Sequence, residues 1–205
     1  YNALDSPTAA DPGGLNKQEV KQDRRQAAPN NVLYDAGERV DQQKLGMVYR
    51  KSFGPKHEIR ARNYYVWRNF DNKLPFTSGG TVDLDRFFVG GGLTYTYNGT
   101  LFARPNRTIM GFDLDTQRDD RQRFDNNQGT QGALTFDQDE DVTSAGVFMQ
   151  NEFSLLDSLE LTLGARYDNV DFDVDDNFLA DGDDSGDKIG RAVQQECRDR
   201  VAIPY

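Results

Sequence analysis

The residues equipped for chemistry in this chain are few and poorly spaced for it. One histidine, His57, and one cysteine, Cys197, leave no Cys/His set for zinc, no thiol–imidazole pair for nucleophilic catalysis and no internal disulfide. The aspartate-rich stretch from Asp171 to Asp187 is the clearest invitation to a metal, because Asp181, Asp183, Ser185 and Gly186 match the first half of a calcium-binding EF-hand loop. Its twelfth position is Ala192, where a bidentate glutamate is needed, and no flanking helix is evident, so a solvated loop is the better reading. Gly90-Gly91-Gly92 is not followed by the G-K-[ST] of a phosphate loop and sits inside an alternating segment, where close backbone approach or a bulge is expected. Asn98-Gly99-Thr100 and Asn106-Arg107-Thr108 match glycosylation sequons, a pattern too frequent by chance to inform.

Anion recognition is the chemistry left. Arg60, Arg62 and Arg68 share one parity with Tyr64 and Phe70. Arginine forks paired with aromatic faces suit carboxylate ligands as well as structural partners. Whether they serve a ligand depends on the elements that carry them.

Those elements are written in period two. In 159–170, LELTLGARYDNV, Leu159, Leu161, Leu163, Ala165 and Tyr167 share one parity, and Glu160, Thr162, Gly164, Arg166 and Asp168 the other. The same alternation marks segments at about 44–52, 58–70, 86–97, 107–115 and 142–155, making about six strands. Phe53-Gly54-Pro55-Lys56, Asn98-Gly99 and Leu156-Asp157-Ser158 read as short turns. Residues 1–39, the stretch containing Pro75 and Gly79-Gly80, residues 117–141 and the chain beyond Asp173 read as long polar connections. Short turns therefore gather at one end of the strands and long loops at the other.

Composition bears on the same point. Only 36% of residues are hydrophobic and 28% are charged, with a mean hydropathy of -0.79. That is a thin supply for a globular core, but the 11% aromatic content and the alternation argue against disorder. No apolar run is long enough for a transmembrane helix, whereas a transmembrane barrel needs only alternating strands of about 10 residues, short turns on one side and long loops on the other. With 24 basic and 34 acidic residues the net charge is -10, which disfavours nucleic acid as a partner. The expected fold is all-β: an antiparallel segment of a transmembrane β-barrel, with residues 40–175 as barrel, 1–39 as an extracellular loop and 176–205 as a further loop and irregular tail.

With these segments laid out, the chain resembles the barrel of TonB-dependent outer-membrane receptors of the ferric-siderophore class. The resemblance lies in Gly146-Val147-Phe148-Met149-Gln150-Asn151-Glu152-Phe153, the turn at Leu156-Asp157-Ser158-Leu159, and Leu163-Gly164-Ala165-Arg166-Tyr167-Asp168, which is similar to the family's G-x-R-Y-D box. Met110-Gly111-Phe112-Asp113-Leu114, followed by Arg118-Asp119-Asp120-Arg121, is similar to a barrel strand leading into a receptor loop. The resemblance covers about residues 11–175 and implies a middle portion of a barrel of roughly 22 strands, without the family's plug or TonB box.

It further implies a location in a Gram-negative outer membrane, contact with outer-membrane lipid, a ferric siderophore or similar metal chelate as cargo, and energy from the TonB complex through the plug. It implies no catalysis and no cofactor. The second strand then runs outward and the third inward, which sets Arg68, Phe70, Arg86 and Phe88 high in the lumen as candidate ligand contacts. Trp67, Phe87, Tyr49 and Tyr97 face lipid near strand ends as an aromatic girdle, and His57 lies beside a periplasmic turn. A passive porin and a soluble all-β binding module are the competing readings. Beyond Lys188 the alternation stops, and the tail reads as a truncated or altered reading of the gene.

Overall fold

The computed structural model describes residues 1–201, of which 188, 189 and 191–201 are described by backbone alone. Eight strands form one antiparallel sheet in strict sequence order: β1 (Asn2–Ala10), β2 (Gly37–Phe53), β3 (His57–Lys73), β4 (Thr81–Leu101), β5 (Arg104–Asn127), β6 (Thr130–Leu156), β7 (Leu159–Asp176) and β8 (Gly186–Val201). Each strand pairs with the next, so β1 and β8 are the edges of the sheet. Two short helices, α1 (Lys17–Gln22) and α2 (Pro29–Leu33), lie in the connection between β1 and β2. Asn16 caps α1, accepting from the backbone N–H groups of Gln18 and Glu19.

The two faces of the sheet are chemically unlike. Across six strands the register lines up Tyr49, Ala61, Leu93, Phe112, Val147 and Tyr167 on one face. Neighbouring large side chains on that face stand open, Met47 at 62% exposure and Val147 at 56%. On β3 the apolar residues run from Ile59 to Trp67, the span of about 9–11 residues that a tilted strand uses to cross a hydrocarbon layer.

Towards the long-loop end this face changes character abruptly. Asp5, Asp41, Asn69, Asp85, Asp120, Asp139 and Asp175 are register neighbours across seven strands. Like charges placed directly opposite are tolerable only in water. The apolar band therefore ends at the tilted ring pair of Trp67 and Phe87, centroids 5.4 Å apart. At the short-turn end the band closes on His57, whose Nδ1 lies 2.7 Å from the Tyr95 hydroxyl and whose ring is 5.2 Å from that of Tyr97.

Four expectations need correction. Residues 1–39 are not a loop throughout: β1 and two helices lie there. Strand β1 escapes notice because Pro7 interrupts it, the register shifts between Ser6 and Ala9, and it pairs with the polar first part of β2, where no apolar parity marks the strand.

Residues 117–141 are likewise no loop but the extended ends of β5 and β6, closed by Gln128-Gly129 with positive φ at both positions. Their ladder is held by polar partners: Arg121 with Glu140 at 3.3 Å, Gln122 with Asp137 at 3.3 Å, and the guanidinium groups of Arg121 and Arg123 over the Phe136 ring. Period two is invisible to a hydropathy reading when both faces are wet.

The β4–β5 turn is Phe102-Ala103, both at positive φ, rather than Asn98-Gly99. The Asn98 N–H donates to the Lys56 carbonyl of the neighbouring turn at 2.7 Å, which keeps Asn98 in the strand. The tail, finally, is not irregular up to Val201: β8 pairs with β7 from Gly186↔Val174 to Val201↔Leu159, using the backbone edge that β7 offers. The expectation for residues 202–205 lies outside the described residues. Eight strands, not about six, result.

The end-to-end asymmetry persists in altered form. Connections 54–56, 102–103 and 157–158 are tight turns at one end, while 11–36, 74–80 and 177–185 are the longer ones at the other.

Candidate functional site

On the polar face, glycine decides where side chains can lie. One register row reads Arg62, Gly92, Asp113, Gly146, Asp168 across β3 to β7. A Cβ on Gly92 would overlap the Asp113 carboxylate, and one on Gly146 would overlap that of Asp168. With glycine at both places the charged side chains fold flat along the wall and meet across it. Arg62 Nη2 donates to Asp113 Oδ1 at 2.8 Å, Arg166 Nη1 donates to Asp113 Oδ2 at 3.0 Å, and Arg166 Nε reaches both Asp168 oxygens at 2.9 and 2.8 Å.

The glycine triplet works in the same way. Gly90 leaves room for the Tyr64 hydroxyl to donate to Asp115 Oδ1 at 2.5 Å. Register runs without a shift through Gly90, Gly91 and Gly92, so close approach, not a bulge, is their role.

Higher on the same face an open depression of about 530 Å³ is lined by Gln42, Lys44, Tyr64, Arg68, Arg86 and Phe88, with Gln117 beside them. Three of the four residues singled out from sequence, Arg68, Arg86 and Phe88, meet here. The fourth, Phe70, stands behind the depression: its ring supports Arg68, whose Cζ lies 5.2 Å from the ring centroid. Tyr64 and Phe88 form a tilted aromatic floor with centroids 5.5 Å apart.

The two arginines, directly opposite in register, are not equivalent. Arg86 grips Asp119 with both arms of its guanidinium, Nε to Oδ1 at 2.7 Å and Nη2 to Oδ2 at 2.5 Å. Asp119 is 1% exposed and takes a further bond from Gln117 Nε2 at 3.0 Å. Arg68 has no such partner. Among the described residues no carboxylate lies within ion-pair distance of Arg68 or Lys44, and Arg68 Nε is out of solvent without a hydrogen bond.

Sequence reasoning overlooked Lys44, Gln42, Gln117 and Asp119. Counting away from the Phe53↔His57 pair at the first turn places Gln42 opposite Arg68, so that signal was present. Asp119 and Gln117 had none, since they fell in a stretch read as loop.

Above the depression, Asn126 binds three connections together. It is 0% exposed. Its Nδ2 donates to the carbonyls of Tyr34 (2.9 Å) and Leu74 (3.0 Å), its Oδ1 accepts from Gly129 N–H (2.7 Å), and its own N–H donates to the Thr77 carbonyl (2.8 Å). In the 177–185 connection, carboxylates serve the backbone: Asp176 Oδ2 accepts from Asp184 N–H and Asp183 Oδ1 from Ser185 N–H, each at 3.0 Å. The Ser185 hydroxyl and then its N–H hold the Asp183 carboxyl below the usual carboxylate range. Among the described residues no three His, Cys, Asp or Glu side chains are grouped to share a metal ion.

Comparison with known proteins matches this arrangement. Residues 1–193 match the family described as TonB dependent receptor-like, beta-barrel. Among solved structures, the ferric citrate transporter FecA in its unliganded form superposes with a TM-score of 0.83 at 11% identity, over 96% of this chain and 30% of that one. The siderophore receptor PiuA from Acinetobacter baumannii gives 0.67 at 13% identity, over 81% of this chain and 30% of that one. The ferric-catecholate import receptor Fiu from E. coli K12 gives 0.52 at 10% identity, over 80% and 32%. The chain thus spans about a third of the length of these receptors and shares their barrel fold.

Proposed function

The chain belongs to the family of TonB-dependent receptor β-barrels, and on that premise we propose that it forms part of an outer-membrane receptor importing a ferric siderophore or a similar metal chelate, driven through TonB. The family is one of receptors and transporters, not of enzymes. The observation that carries the reading is the two-faced sheet: an apolar band of membrane-crossing height on one side, and on the other a polar wall that a water-filled lumen would wet. The apolar face is assigned to outer-membrane lipid, the long-loop end to the cell exterior and the short-turn end to the periplasm. Arg68, Arg86 and Phe88, with Phe70 behind them, then face incoming chelate near the outer rim of the lumen. TonB would act through a plug standing against the Arg62–Asp113–Arg166 wall.

Uptake of radioactive iron by iron-limited cells is the test. Deleting the gene should abolish uptake from at least one ferric chelate, and deleting tonB should do the same. Uptake that survives loss of TonB but not loss of the gene would favour a passive porin.

A further inference from the structure

Lys51 puts a charge on the apolar face. Along β2 that parity reads Leu45, Met47, Tyr49, Lys51 and Phe53, and the register sets Lys51 in one row with Ile59, Tyr95, Met110 and Met149. An ammonium group in such surroundings is costly in hydrocarbon unless it reaches the boundary with water and finds an anion there. Lys51 is exposed, and among the described residues no carboxylate lies within ion-pair distance of it. Its chain neighbour Arg50, on the polar face, is by contrast paired with Glu58 at 3.4 Å.

The next row towards the short turns marks the boundary. Phe53, His57, Tyr97, Thr108 and Asn151 are register neighbours in it. Thr108 and Asn151 satisfy one another together with Asn106: Asn151 Nδ2 donates to Thr108 Oγ1 at 2.9 Å, and Asn106 Nδ2 donates to Asn151 Oδ1 at 3.0 Å. A Cβ on Gly99 would overlap the Tyr97 hydroxyl, so glycine there lets the Tyr97 side chain fold down β4 towards the turn. His57 is the member of the row left with a free polar atom beside Lys51. The Tyr95 hydroxyl, 2.7 Å away, occupies its Nδ1 and fixes the ring, and Nε2 has no hydrogen bond among the described residues.

Lys51 and His57 are diagonal neighbours across β2 and β3, their backbones roughly 7–8 Å apart by strand geometry, a gap that one phosphate group between the side chains can span. We propose that they hold the phosphate of a glycerophospholipid at the short-turn end of the wall, with its acyl chains lying along the exposed Met110, Phe112 and Met149. The proposal rests on the barrel reading, which gives this face to lipid. A phosphodiester supplies the missing anion and only accepts hydrogen bonds, and the apolar band above the two donors suits an anion that carries acyl chains.

The test uses the full-length receptor that contains this chain, purified in non-ionic detergent and weighed by native mass spectrometry, which counts the lipids retained. Phosphatidylglycerol and the diacylglycerol that lacks its phosphate are offered to the wild type, Lys51→Gln, His57→Phe and the double variant, each shown to be folded by its heat-dependent gel mobility. The wild type should retain phosphatidylglycerol and release diacylglycerol. Each single substitution should lower retention roughly fivefold, the share of one cationic or donor group beside an anionic lipid, and the double variant further still. Arg50→Gln, which removes a cation from the opposite face, should leave retention unchanged. Excess inorganic phosphate should not displace the lipid, because a bare anion gains nothing from the apolar band. Equal retention by the wild type and both single variants overturns the proposal, as do diacylglycerol held as well as phosphatidylglycerol, displacement by inorganic phosphate, or an equal loss in Arg50→Gln. A product that needs no detergent and shows no heat-dependent mobility would instead remove the barrel reading beneath it.

Discussion

Arg86 and Asp119 face each other across β4 and β5 with very different access to water, the arginine side chain 33% exposed and the aspartate 2%. Removing either partner is therefore not symmetrical. Arg86→Ala strands a carboxylate in the wall and should cost about 3–5 kcal/mol. Asp119→Ala leaves a guanidinium that still reaches water and should cost less, about 1–3 kcal/mol. Urea midpoints of the refolded receptor in detergent read the difference, and equal losses would contradict the assignment of Asp119 as the buried member. This scale is where the sequence was hardest to read. Arg68, Arg86 and Phe88 could be selected by type and parity. The partner that makes Arg86 unlike Arg68 was hidden, because a polar strand and a polar loop have the same composition. Glycine's part was half legible: close approach was foreseeable at Gly90 and Gly92, but the side chains filling the space, Tyr64, Asp113 and Asp115, come from strands far off in sequence.

Elements with an apolar face were visible through their alternation, and those without one were not. β3, β4 and β7 are each longer than their apolar stretches, and β1, β8 and the far ends of β5 and β6 carry no apolar stretch at all. Backbone pairing extends these strands past the level where side-chain patterning stops, and Asn126 then secures what they carry. Its amide bridges the connection before β2, the connection before β4 and the β5–β6 turn. Asn126→Ala should leave three part-buried backbone groups without this partner and lower the local opening free energy there by about 1–3 kcal/mol, with global stability changing less. Hydrogen exchange at the Gly129 amide, which donates to Asn126 Oδ1 at 2.7 Å, reports it directly. Unchanged exchange at Gly129 would mean that the three connections are held by something else, such as the Lys73–Asp35 pair or the Tyr34–Thr77 contact.

At the scale of the whole molecule, one sheet carries two chemically unlike faces. The apolar face holds its large side chains open, an arrangement that water would penalise by about 1.5–3 kcal/mol for each such side chain relative to an apolar medium. The polar face would be intolerable in lipid. Substitution by arginine should therefore divide cleanly by parity. Val147→Arg, in the middle of the apolar band, should destabilise by about 2–4 kcal/mol, and Gln150→Arg, three residues along on the polar face beside Glu152, should be close to neutral. Low mean hydropathy, which on its own points away from membranes, accords with the proposed placement, in which half of every crossing strand would be wet and the strands would run on beyond the bilayer. The central claim is that this chain is barrel wall in an outer membrane, and fractionation of cells expressing the full-length product tests it most directly. The account predicts recovery in the outer-membrane fraction, release only by detergent, and a gel mobility that differs before and after boiling. Recovery as a soluble monomer that needs no detergent would contradict it.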